Sequence, residues 1–158
     1  MNGTMPKNAK TEEVLVRIVL VDPPPGIDYG VQRGNGSQYE TVFTRRPRSP
    51  RGEVAFDVAL TAKNDCKDGR PNIAGPFAQG APADRFVYID IGRYAGQTDT
   101  DCARRMKVPL GGISWTLIRK AAAANGTIET RIPGVGKDGG PTCASTAKVQ
   151  SAWRVVDR

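Results

Sequence analysis

The chain has 158 residues, 39% of them hydrophobic, with 18 Gly and 12 Pro, a composition that suits one domain with its own core, many turns and few long helices. Histidine is absent, which excludes Ser-His-Asp triads, Cys-His dyads, HExxH zinc sites and two-histidine iron sites. The formal net charge of +7 is unevenly spread, with ten Lys/Arg against four Asp/Glu in residues 101–158 but five against seven in residues 52–100, so a uniformly basic surface is not expected.

Residues 1–13 are polar and aperiodic and are expected to form a disordered tail, leaving 14–158 as a single β-rich domain. Val14 to Val21 is a nearly unbroken β-branched run that reads as a buried strand, and Asp22-Pro-Pro-Pro-Gly26 stops it. Extended character resumes from Ile27 to Arg33, Gly34-Asn35-Gly36 turns the chain, and Tyr39 to Thr44 alternates as a shorter strand. The segment Arg45 to Gly52 is basic and proline-rich. Its guanidinium groups could hold phosphate, but it contains no aromatic residue for base stacking and reads first as a solvated hairpin tip made rigid by proline.

Glu53 to Ala62 is an amphipathic strand with Val54, Phe56, Val58 and Leu60 on one face. The stretch between it and Arg85 lacks periodicity and is expected to be an ordered Ω-type loop stiffened by Pro71, Pro76 and Pro82 and anchored by Phe77. It either caps one end of the sheet or forms a ligand wall with Gln79. Arg85 to Gly92 is the clearest strand: Phe86, Tyr88 and Asp90 share one side, Val87, Ile89 and Ile91 the other, so an interior strand covered on both faces is expected. Ala103 to Leu110 alternates Arg104, Met106 and Val108 with Arg105, Lys107 and Pro109 and reads as a basic strand. Ile113 to Ala124 has helical spacing, with Ser114 as N-cap and Gly126 as stop. Thr127 to Ile132 and Ala152 to Val156 close the chain as strands. The resulting fold is α+β and mainly β, an antiparallel barrel or strongly curved sheet with one helix packed across it.

Gly134-Val-Gly136-Lys-Asp-Gly139 matches G-x-G-x-x-G, but no helix opens at its third glycine, and Asp138 stands where a P-loop needs Ser or Thr. Its amides could still cradle a small anion beside Lys137. Asp99 and Asp101 lack the glycine and closing glutamate of a calcium loop. Cys66, Cys102 and Cys143 are odd in number and widely spaced, and no stretch has signal-peptide or membrane-spanning character. A cytoplasmic protein with reduced thiols, no cofactor, no bound metal and no membrane contact is therefore expected.

The series Asp22-Pro-Pro-Pro-Gly26, Gly75-Pro-Phe-Ala-Gln-Gly80, Arg85-Phe-Val-Tyr-Ile89, Ile113-Ser-Trp115, Gly136-Lys-Asp-Gly-Gly-Pro141 with Cys143, and Trp153-Arg-Val155 resembles a bacterial family of small proteins known mainly as a domain of unknown function. The resemblance runs from Val14 to Val156 and implies one intact domain without any transferable activity. From the residues themselves, the expected function is binding of a small molecule or anion by Gln79, Arg85, Lys137, Asp138 and Gly139, with nucleic acid not the expected partner. The alternative is a histidine-free enzyme in which two of Asp28, Asp84, Asp90 and Asp138 converge.

Overall fold

The computed structural model describes residues 11–23, 29–34, 38–44, 52–64, 71–80, 85–91, 105–134 and 153–157. Its elements are β1 (Thr11–Val21), β2 (Tyr29–Gly34), β3 (Tyr39–Thr44), β4 (Val54–Asn64), β5 (Pro71–Ala74), β6 (Ala78–Gln79), β7 (Phe86–Ile91), β8 (Arg105–Pro109), α1 (Trp115–Ala123), β9 (Gly126–Pro133) and β10 (Arg154–Asp157). The mainly β chain with one helix agrees with the α+β expectation. β1 starts at Thr11 because its polar first residues still pair with β4, Thr11 opposite Lys63 and Glu12 opposite Ala62. Residues 11–13 of the expected tail thus belong to the sheet.

The strands form two five-stranded sheets. The first runs β10-β9-β1-β4-β5, antiparallel except for the parallel β1–β9 pair. In the second, β8 lines one edge of β7 from Phe86 to Asp90. β2 and β6 share the other edge in succession, at Ile89–Ile91 and Phe86–Val87, and β3 extends β2. Among the described residues neither sheet closes on itself, so the strands form two open sheets and the barrel form of the expected barrel or curved sheet is not borne out. Closure requires the end strands of a path to pair, and here β5 and β10, four residues each, end the first path on β4 and β9.

Both sheets and the helix feed one core, in which Ile18, Phe56, Val58, Val87, Ile89, Met106 and Ile118 are all less than 2% exposed. Each such side chain contributes about 1.5–3 kcal/mol through apolar area withdrawn from water. The helix opens as its sequence dictates: the Ser114 hydroxyl accepts from the Leu117 amide at 3.1 Å, and Ile118 and Ala121 turn inward. Its end differs from expectation. Asn125 itself takes the left-handed conformation (φ 50°), and Gly126 is already the first residue of β9. Glycine is required there for close approach, since a Cβ would stand 2.8 Å from the Val156 carbonyl oxygen on β10.

Two further expectations are corrected. The supposed Ω-loop before Arg85 contains β5 and β6, strands too short to display periodicity, which add to β4 and β7 respectively. β7 is interior within its sheet but is not covered on both faces: Val87 and Ile89 are fully buried, whereas Phe86, Tyr88 and Asp90 are half-buried on the outer side.

Candidate functional site

The outer face of β7 is built by simple alternation. With Val87 and Ile89 committed to the core, Phe86, Tyr88 and Asp90 must stand on the opposite side. The antiparallel register sets Tyr88 opposite Lys107 and Asp90 opposite Arg105, while Met106 between them and Val108 after them point inward by the same rule. Two aromatic rings and two exposed cations are thereby gathered on one surface. The Phe86 and Tyr88 rings lie 6.1 Å apart with planes inclined at 22°. The Lys107 ammonium stands 5.7 Å from the Phe86 centroid and 5.8 Å from that of Tyr88. Arg105 lies 5.2 Å over Tyr88, and its Nε donates to Asp90 Oδ1 at 3.1 Å. Cation–ring contacts at exposed sites are worth about 0.5–1 kcal/mol each, so they orient the two cations without immobilising them.

At the other edge of β7 the same face is amide-lined. Gln79 lies opposite Phe86, and Gln32 alternates with the core residue Val31, which is itself opposite Ile89. Both glutamines are 4% exposed. Gln79 Nε2 donates to the Gln32 backbone carbonyl at 3.2 Å, replacing a ladder bond where β2 leaves β7 and β6 takes over. The side-chain Oε1 of each glutamine is buried without a hydrogen-bond partner.

Of the residues expected from sequence, Gln79 therefore sits on this face. Arg85 stands one residue ahead of Phe86, across the sheet from the rings by alternation, half-buried, with its carbonyl accepting from the Leu110 amide at 3.0 Å and its Nε lacking a partner. Lys137, Asp138 and Gly139, the basic segment 45–51, the three cysteines, Asp28 and Asp84 lie outside the described residues. Gly134, the first glycine of the G-x-G-x-x-G match, has a packing role: its amide donates to the Val21 carbonyl at 2.6 Å, and a Cβ would meet Pro23 Cα and N at 2.7 Å. Phe86, Tyr88, Arg105, Lys107 and Gln32 were not expected as site residues. Their i, i+2 spacing is visible in each segment, but the strand pairing that unites them is not.

Two other places were candidates. On the outer face of the first sheet, register sets Arg154 opposite Glu129, Glu129 opposite Arg17 and Arg17 opposite Asp57, an alternating row across four strands. Arg17 Nε donates to Asp57 Oδ1 at 2.7 Å, and this hydrogen bond holds its guanidinium above the ordinary value, with burial opposing and the Asp57 and Glu129 charges assisting. Glu129, its side chain 7% exposed, accepts from Arg154 at 3.2 Å and Arg131 at 3.5 Å, and Arg131 also pairs with Glu53. Every acid in this row faces a guanidinium, which suits a sheet-bracing role. A cleft of about 190 Å³ between α1 and the start of β1, lined by Glu12, Leu15, Ala122 and Asn125, falls below the roughly 300 Å³ of a small-molecule site. Among the described residues no three potential metal-ligating side chains cluster, and no helix is long and apolar enough to cross a membrane.

The chain belongs to a family of unknown function (DUF5990), whose model matches residues 14–156. No curated protein and no solved structure matches it.

Proposed function

Because the family supplies no chemistry, we propose from the geometry that the protein is a binding module for anions that carry a planar group, seated on the outer face of β7 and β8. The observation that carries this reading is the position of Lys107, within 6 Å of both half-exposed rings, with Arg105 beside it over Tyr88. Arg105 and Lys107 stand over the rings in the free protein, so a planar group stacks on the rings by displacing these cations, and its charged substituent then meets the displaced ammonium and guanidinium donors. The rings are half-buried and the two cations exposed to water, so affinity for a small ligand is modest. Gln79 enters this proposal directly. Arg85 stands on the other side of the strand by alternation, and a contribution of Lys137, Asp138 and Gly139 to anion binding is tested by Lys137→Ala in the same thermal-shift comparison.

The experiment compares phenyl phosphate, inorganic phosphate and tripolyphosphate by thermal shift and calorimetry. Phenyl phosphate is expected to raise the melting temperature more than inorganic phosphate, because a ligand that prefers the folded state stabilises it by mass action. Lys107→Ala removes the gain. If none of the three anions shifts the transition, the proposal fails. The carboxylate-enzyme alternative gains no support from Asp90, which is bonded to Arg105.

A further inference from the structure

We propose, building on the anion-binding reading above, that the occupant of this face is single-stranded nucleic acid, with bases stacked on Phe86 and Tyr88, phosphates met by Arg105 and Lys107, and base edges read by Gln32 and Gln79. Three observations converge. The rings stand two residues apart on one strand at 6.1 Å between centroids, on an open sheet, the arrangement in which strand-borne aromatics take successive unstacked bases. The cations lie on the adjacent strand in register with the rings, Lys107 opposite Tyr88 and Arg105 opposite Asp90, so a backbone crossing β8 meets positive charge where its bases meet β7. Lastly, two amide oxygens, Gln32 Oε1 and Gln79 Oε1, are buried without partners on glutamines 4% exposed. An unpaired buried acceptor carries a desolvation penalty; both oxygens are closed to solvent in the free protein, so the amino and imino N–H groups of a base edge would relieve that penalty after a local opening of the glutamine side chains.

With both cations exposed and the rings half-buried, contacts are spread along β7 and β8, which suits a nucleic-acid strand that distributes them over several bases and phosphates. The lack of aromatic residues in segment 45–51 speaks against nucleic acid along the sequence. Pairing of β7 with β8 supplies the interleaving of rings and cations that the sequence order conceals.

The test is fluorescence anisotropy of labelled single-stranded DNA and RNA octamers with the full chain, over a series of salt concentrations. Wild type is expected to bind with affinity falling as salt rises, and Lys107→Ala to flatten that slope by about 0.7 for each phosphate it leaves without a cation. Tyr88→Ala should weaken binding about tenfold at every salt concentration with the slope unchanged, and Tyr88→Trp should restore it, as stacking requires. Gln32→Met, which removes an unpaired buried acceptor while keeping volume, should weaken binding without lowering the melting temperature. In the wild-type protein the side-chain amide resonances of Gln32 and Gln79 should move on adding the octamer and stay still with tripolyphosphate. If a sulfated polysaccharide binds as tightly as the octamers and Tyr88→Ala changes neither, anion binding survives and the nucleic-acid inference falls. Binding of a mononucleotide as tight as that of the octamer also overturns it. If no polyanion, phosphate or phenyl phosphate binds, both readings fall.

Discussion

Glu129→Gln tests the reasoning about the charged row most directly. The wild-type carboxylate is 7% exposed and contacts Arg154 at 3.2 Å and Arg131 at 3.5 Å, with Arg17 opposite it on β1. Glutamine keeps the shape but turns an N–H donor toward groups that are themselves donors. Breaking a buried ion pair from one side costs about 3–5 kcal/mol, and an exposed pair is worth about 0–1 kcal/mol. Arg154 and Arg131 are 61% and 33% exposed, so solvent takes up much of the stranded charge, and about 2 kcal/mol is expected. For a chain of this size that lowers the melting temperature by roughly 4–8 °C. Scanning calorimetry of Glu129→Gln beside Asp157→Asn, an exposed acid on β10, isolates the effect from a general change of charge. Raising ionic strength to about 1 M should narrow the gap between wild type and Glu129→Gln. A melting temperature within about 1 °C of the Asp157→Asn value would refute the claim that Glu129 braces the sheet.

Gly134→Ala is expected to cost about 2 kcal/mol in urea denaturation, because the added methyl meets Pro23 Cα and N at 2.7 Å and the Val21 carbonyl at 2.9 Å, backbone atoms that cannot step aside as a flexible side chain would. A neutral result would mean that the turn can open and would return the glycine motif to consideration as a ligand loop. For Arg17, whose guanidinium is held above its ordinary value, the linked stability is fully present below the unfolded-state value and is lost only as pH rises through the still higher folded-state value. Both lie far above neutrality. Arg17→Gln should therefore lower the melting temperature by the same increment from about pH 6 to about pH 10; an increment that disappears within that window would contradict the assignment.

The fold was legible wherever side chains repeat with the period of their element. The run from Val14 to Val21, the alternation of Val54, Phe56, Val58 and Leu60, and the Ser114 cap all appear in the structure where their spacing puts them. Three features escaped for separate physical reasons. β5 and β6, of four and two residues, are shorter than the span over which periodicity can be detected. The left-handed residue after α1 is Asn125 rather than Gly126 because Gly126 is already paired with β10 in the sheet, a contact between segments thirty residues apart in the chain. Sheet closure depends on which strands become neighbours, and alternation specifies the two faces of a strand but never its partner.

The same distinction governs the candidate site. Phe86 and Tyr88 announce themselves as an aromatic pair on one side of a strand, and Arg105 and Lys107 as a basic pair on one side of another; neither pair has a binding character alone. Rings without cations are an exposed apolar patch, and cations without rings are a solvated edge. Combined chemistry exists only because Val87 packs opposite Val108 and Ile89 opposite Met106 in the core. A slip of one residue in that pairing would expose Met106 and Val108 and bury Arg105 and Lys107, so the hydrophobic core excludes every odd register. Apolar burial beneath the sheet thus selects the polar arrangement above it. The candidate face is specified by the residues that do not belong to it, and this is why it emerges from the strand pairing but cannot be read along the chain.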